Sequence, residues 1–324
     1  MLYGGVDEAG YGPMLGPLCV GATCFDVPHT GTGRPCLWSV LDAAVCPAGR
    51  DKARRIAIDD SKKLKGAKSG KAHPLANLER GVLCMLASMH DDRTWLDNAT
   101  DVDVLHHLGV DLPDEPWFGG PPVAVPLGSD AASMRIDAAR LARAMHDANV
   151  SLTHCSVRAM SVPEFNARVA SAGSKSWVNF ELATQRIETM WSGHDGALHV
   201  VMDRHGGRTA YQRELHTAWP QSHIEVTRQD AQGSDYTLAR NSSSLFLHIR
   251  SKADSTHLPV ALASMAAKLV RELLMHRLNR YFSDHLPAVA PTAGYVQDGR
   301  RWLKDVQPVL ESQGVARETL VRAR

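Results

Sequence analysis

Residues 5–18 read Gly5-Val6-Asp7-Glu8-Ala9-Gly10-Tyr11-Gly12-Pro13-Met14-Leu15-Gly16-Pro17-Leu18, and the flanking sequence makes this stretch decisive for the fold. Upstream, Leu2 to Asp7 reads as an apolar strand ending in a carboxylate. Downstream, Leu18 to Phe25 (LCVGATCF) reads as a second, rich in the small and β-branched residues of a buried sheet. The glycines and prolines between them leave room for a turn and little else. Strands joined so tightly pair antiparallel. GYGPMLG echoes a dinucleotide-binding glycine pattern, but that pattern opens a helix, whereas PMLGPLCV runs into a strand. The dinucleotide reading is set aside.

Outward from this hairpin the chain alternates strands and helices. A short helix is expected over Leu37–Val45, another over Leu75–Met89 and a third over Ala131–Ala148. Thr153–Met160 reads as a strand, Val162–Val169 and Val178–Trp191 as helices. Leu198–Asp203 (LHVVMD) is a buried strand that again ends in an acid. His223–Arg228 alternates as an edge strand, and Leu245–Arg250 is a further strand. Pro259–Phe282 is a long amphipathic helix, followed by a last helix over Arg300–Leu310. The expectation is an α/β protein with a mixed sheet flanked by helices and a helical C-terminal part from about 259 to 324. Residues 90–128 contain PDEPWFGGPPVAVPLG, too dense in Pro and Gly for a regular element. An inserted surface excursion at about 90–145, within a single domain over 1–324, follows.

The chain has 324 residues, 44% hydrophobic and 22% charged, with a net charge of +1, as in a soluble globular protein. No uncharged apolar run approaches the roughly 20 residues of a membrane span. Asp7 and Glu8 stand where a secretory leader would need an apolar core, so the expectation is a cytoplasmic protein with no membrane partner, monomeric by default. Six cysteines show no CxxC pair and read as reduced structural thiols. The charge is unevenly spread. Residues 51–71 carry eight Lys/Arg against three Asp, and residues 240–324 thirteen basic against seven acidic. Residues 91–150 reverse this, with four basic and eleven acidic. Basic segments beside a polyanion site, with an acidic segment kept elsewhere, would give this pattern.

Four acids stand out by context. Asp7 ends an apolar strand and Glu8 follows it; Asp203 ends VVMD; Asp254 lies in SKADS, just ahead of the long helix. An acid at the end of a buried strand is costly to ionise unless something positive meets it. Two adjacent acids and two remote ones at one sheet edge would suit two hard divalent cations, Mg²⁺ or Mn²⁺ rather than zinc. Two such ions about 3.5–4 Å apart activate a water and stabilise the leaving oxygen of a phosphodiester displacement.

With these motifs in hand, the chain resembles the type 2 ribonuclease H (ribonuclease HII) family. GVDEAGYGPMLGPL at 5–18 is similar to the family's opening DEAGRGP-type signature, and DDSKKL at 59–64 to its second element. MDR at 202–204 falls where its third acid ends a strand. KADSTHLPVALASMAAKLVRE at 252–272 resembles the fourth acid and its ASxxAKxxR helix, and AGYVQDGRRWL at 293–303 the tyrosine-bearing segment. The resemblance covers roughly 1–90 and 145–312.

It implies a ribonuclease H-like sheet and an endonuclease that cuts the RNA strand of RNA–DNA hybrids, or DNA containing ribonucleotides, leaving 3′-hydroxyl and 5′-phosphate ends. By the same resemblance Asp7, Glu8, Asp203 and Asp254 are the catalytic, metal-binding quartet. Gly10, Tyr11 and Gly12 sense the ribose 2′-hydroxyl, Lys62 and Lys63 lie near phosphates, and Tyr295 packs on a sugar. Ser264, Lys268 and Arg271 repeat at helical spacing and would present one face to the nucleic-acid backbone. The chain departs from the family in having Tyr11 for an arginine and Glu272 for an aspartate, as well as in its insertion. Two other readings stay open: a nuclease of this fold acting on another nucleic acid, and a non-catalytic hybrid-binding protein.

Overall fold

The computed structural model describes residues 1–28, 33–48, 54–64, 73–206 and 208–323. Residues 51–53 and 65–71 of the basic segment 51–71 therefore lie outside the described residues.

A seven-stranded mixed sheet forms the centre. Its strands are β1 (Leu2–Ala9), β2 (Leu18–Asp26), β3 (Ser151–Met160), β4 (Gly196–Asp203), β5 (His223–Gln229), β6 (Gly233–Arg240) and β7 (Ser243–Arg250). They lie in the order β3-β2-β1-β4-β7-β6-β5. β1 pairs antiparallel with β2, as the tight turn requires, and parallel with β4, which pairs parallel with β7. Helices flank the sheet: α1 (Ala76–Ser88), α2 (Asp101–His107), α3 (Ala131–Asp147), α4 (Val162–Ala172), α5 (Lys175–Trp191), α6 (Gln212–Ala218), α7 (Leu258–His285), α8 (Val296–Asp305) and α9 (Gln307–Gln313). The expected last helix is thus two, α8 and α9, that part at Val306. The strand β6 and the helices α2 and α6 are additions to the sequence reading.

The strand period of two divides the core. Tyr3, Phe25 and Val201 pack on one face with Leu262, Val270 and Met85. Val6, Val20 and Val200 pack on the other with Phe180, Ile187 and Trp191 of α5. α7 lies flush on β1 and β2 because glycines face it. A Cβ on Gly5 would stand 2.2 Å from the Val260 nitrogen, and one on Gly21 2.2 Å from the Ala263 carbonyl oxygen.

The segment read as a surface excursion is built into the first core layer. Leu96, Val104, Leu105, Trp117, Phe118 and Val125 are buried. From α7, the buried Arg277 pairs with the buried Asp101 and donates to the carbonyls of Phe118 and Gly119. Buried Glu79 of α1 accepts the N–H groups of Leu127 and Gly128. Chain without ladder partners stays buried because charged side chains satisfy its backbone. Among the described residues, no helix is long and apolar enough to cross a membrane.

Candidate active site

Register brings two of the acids together. Val6 pairs with Met202, so Asp7 and Asp203 follow at the ends of neighbouring parallel strands. Both fall on the α7 face by strand alternation, whereas Glu8, one residue on, falls on the α5 face. Asp254 arrives through a sharp turn: Lys252 has φ +57°, and the next N–H, of Ala253, donates to Asp203 Oδ1 at 3.1 Å. This turn leads into α7.

The four acids share one electrostatic neighbourhood. Burial first, then Glu8 and, more weakly, Asp203 raise the Asp7 carboxyl well above its ordinary value, against a pull from the Ser264 hydroxyl. Burial also leads in raising Glu8, with Asp203 adding; the Asn179 amide and Lys62 oppose. Asp254 is raised by burial, then by Asp60 and Asp203, with Lys62 opposing. None of the four makes an ion pair with lysine or arginine among the described residues. Glu8 instead has the His205 imidazole at 3.8 Å, and burial holds that ring down at about 4, hence neutral near pH 7. Among the described residues no three carboxylates, imidazoles or thiols gather as a metal-holding group. Even so, hard oxygen donors that oppose each other's ionisation, with no lysine or arginine ion-paired to them among the described residues, fit a divalent cation in charge and donor type.

The other residues singled out in the sequence fall in three places. Ser264 is buried; its hydroxyl lies 3.2 Å from that of Ser61 and beside Asp7, so it faces the acids rather than solvent. Arg271 is also buried and donates to the Leu15 and Ala293 carbonyls. It holds the turn in place from within the core. Lys268 pairs with Glu272 at 2.8 Å. Lys63 pairs with Asp59 at 2.9 Å, whereas exposed Lys62 faces Glu8 and Asp254 electrostatically.

At the turn, Gly10 has φ +90°, and a Cβ there would meet Arg271 Nε at 2.6 Å. Gly12 is exposed with nothing near its missing Cβ, which leaves its backbone open to a ligand. Tyr11 is half-buried beneath the Lys175 ammonium, 4.9 Å from its ring centroid. Exposed Tyr295 follows Gly294, whose carbonyl accepts from Met14 and Leu15, so it borders the same turn. Sequence reasoning missed Asn179, His205, Ser61 and Lys175. Only Ser61 carried a signal, inside DDSKKL.

Fold and acids together define an α/β protein with carboxylates at the ends of central parallel strands. Among solved structures, the chain is similar to ribonuclease HII in the PCNA:RNase HII complex from Archaeoglobus fulgidus. That match has 15% identity and a TM-score of 0.43, covering 100% of this chain and 95% of the other. Ribonuclease H2 from Pyrococcus horikoshii gives 14% and 0.43, over 99% and 92% of the two chains. Bst-RNase HIII in complex with Mn²⁺ gives 16% and 0.42, over 99% and 66%. No family model and no curated protein matches the chain.

Proposed function

We propose that the protein is a divalent-metal-dependent endonuclease that hydrolyses the RNA strand of RNA–DNA hybrids. One observation carries the reading: Asp7 and Asp203 follow the last paired residues of adjacent parallel strands on one sheet face, tied through Ala253 to Asp254, with no lysine or arginine ion-paired to any of them among the described residues. Asp7, Glu8, Asp203 and Asp254 would hold two Mg²⁺ or Mn²⁺ ions. When bound, such ions supply an activated water and charge neutralisation at the leaving oxygen.

The protein's own groups orient and select. The Ala253 N–H fixes one Asp203 oxygen, and the Ser264 hydroxyl and Asn179 amide favour the ionised forms of Asp7 and Glu8. Neutral His205 walls Glu8 without neutralising it. The open backbone at Gly12 offers the close approach that 2′-hydroxyl recognition needs, since that hydroxyl alone separates RNA from DNA at one nucleotide. Lys62 positions phosphate without reading sequence.

The test is cleavage of a uniform hybrid, and of a duplex with one embedded ribonucleotide, with Mg²⁺, with Mn²⁺ and with chelator. Metal-dependent cutting of the RNA strand is the expected result. Cutting that survives chelation, or that ignores the 2′-hydroxyl, would overturn the reading.

A further inference from the structure

A cavity of about 200 Å³ lies beside the glycine turn, away from the acids' own contacts, and is lined by Tyr11, Gly12, Met14, Phe165, Lys175 and Arg322 among others. The segment after α9 closes it. Val321 bridges to Leu15, and the Arg322 N–H donates to the Met14 carbonyl at 2.9 Å. The Asn166 side chain of α4 clasps that segment, donating to the Val321 carbonyl and accepting the Ala323 N–H.

Arg322 is the unusual wall. Its side chain is buried, and one terminal nitrogen, Nη2, donates to the Gly10 and Pro13 carbonyls. Nε and Nη1 are buried with no hydrogen-bond partner among the described residues, and the guanidinium carbon lies 5.3 Å from the Phe165 ring centroid. No carboxylate pairs with it among the described residues, and the charge that bears on it most is a second cation, Arg271. Burial, with Arg271 adding, lowers it to about 10. A guanidinium with unsatisfied buried donors and no counter-charge is costly unless an anion completes it. A second wall is cationic too. Lys175 is exposed above the Tyr11 ring, and it is the first residue of α5, whose Ser174 cap accepts the Trp177 N–H. The N-terminus of that 17-residue helix adds partial positive charge. Among the described residues, Glu8 is the acid that bears on Tyr11.

We propose that this cavity binds a single phosphate group, with Arg322 and Lys175 as its cations and the Tyr11 hydroxyl beside them. Guanidinium, ammonium and phenol donors around a small space match a tetrahedral oxyanion. The source of the phosphate is a phosphodiester of the bound strand, flanking the cut; this attribution rests on the nuclease reading, whereas the chemistry of the cavity does not.

The test uses the full chain, labelled with ¹⁵N-arginine and free of divalent metal. Inorganic phosphate and, separately, a short RNA–DNA hybrid are titrated while the Arg322 Nε–H resonance is followed. A saturable shift with phosphate is expected, weakened about tenfold in Lys175→Gln and further in Lys175→Glu. If the hybrid displaces phosphate, the ligand is a strand phosphodiester. If the hybrid binds and phosphate stays, the site holds but takes free phosphate. No shift with either ligand, or equal affinity in wild type and both Lys175 variants, overturns the proposal. Neither arm measures turnover, so a failure to cleave hybrid would count against the nuclease reading alone.

Discussion

Arg277 and Asp101 form an ion pair with neither side chain exposed, Nε 2.5 Å from Oδ2 and Nη2 2.8 Å from Oδ1. Two parallel N–H···O bonds recover part of the desolvation cost, and the carbonyls of Phe118 and Gly119 take the remaining donor. Removing one partner strands the other. Arg277→Ala and Asp101→Asn should each cost about 3–5 kcal/mol in urea unfolding. The double replacement Arg277→Met with Asp101→Leu should cost clearly less than the sum. Additive losses would show that the two do not act as a pair.

Excising residues 92–128 should abolish folding rather than leave a working core. The cut would remove Leu96, Val104, Leu105, Trp117 and Phe118 from the layer beneath α7 and leave Arg277 buried without its carboxylate. Circular dichroism and thermal unfolding of the deletion variant measure this directly. A cooperative transition near the wild-type Tm would show the segment to be dispensable.

The difference between this outcome and a reading of the sequence alone is instructive. The hairpin of β1 and β2, and β4 with its terminal acid, were legible because each is an apolar run of strand length bounded by turns or charge. β6 was not: GSDYTLAR buries Tyr236 and Leu238 but alternates them with polar residues, and pairing with β7 on one side and β5 on the other makes it a strand. Residues 94–128 misled because Pro and Gly density signals the absence of regular structure, not the absence of burial. Their partner, Arg277, stands 176 residues from Asp101 along the chain. Of the four candidate acids, Asp7 and Asp203 were legible as carboxylates closing apolar runs, whereas Asp254 lies in the turn ahead of α7. Ser264 and Arg271 fell on the expected helix, but helical spacing alone cannot tell a face that meets solvent from one that meets β1 and the turn. Lys175 and Arg322 carried no motif; only packing around Tyr11 reveals them.

Asp7→Asn should separate stability from activity. In the folded, metal-free protein the Asp7 carboxyl is raised by burial and by Glu8, so the folded state holds its proton to higher pH than the unfolded chain. Stability therefore falls as pH rises through the interval between the two values, and the penalty is complete above the folded one. The amide removes that penalty. Asp7→Asn should raise the metal-free Tm at pH 8 and lose most of the rise that Mg²⁺ or Mn²⁺ gives the wild type. Turnover should fall about a thousandfold, the loss of several kcal/mol of charge stabilisation. A variant with wild-type turnover and an unchanged metal-induced Tm would remove Asp7 from the site.

Hybrid binding should weaken steeply with salt as lysines release counterions from phosphates. Lys62→Ala should lower the slope of log K against log salt by about one unit. Lys268→Ala should change it less, because the Lys268 ammonium is already matched by Glu272 at 2.8 Å. Equal effects, or none for Lys62, would move the strand to another surface.

Tyr11 sets the last contrast. Its ring lies under Lys175, and a cation–π contact of this exposed kind is worth roughly 0.5–1 kcal/mol. Tyr11→Arg replaces that attraction with like charge beside Lys175 and Arg322, so the free protein should lose stability. Bound phosphate relieves the repulsion and gains a charge-assisted contact, worth roughly ten- to a hundredfold in binding. The wild type should therefore cut long hybrids better than a lone embedded ribonucleotide, where few other RNA contacts compensate. Tyr11→Arg should narrow that gap by about tenfold at low salt while lowering Tm. In Tyr11→Arg with Lys175→Gln the Tm should recover and the gain persist, since one cation then stands where two competed. Both substrates, assayed at matched salt with the wild type and both variants, decide it. If arginine raises Tm, or if the lone ribonucleotide is already the better wild-type substrate, then the turn and Lys175 do not divide the work in this way.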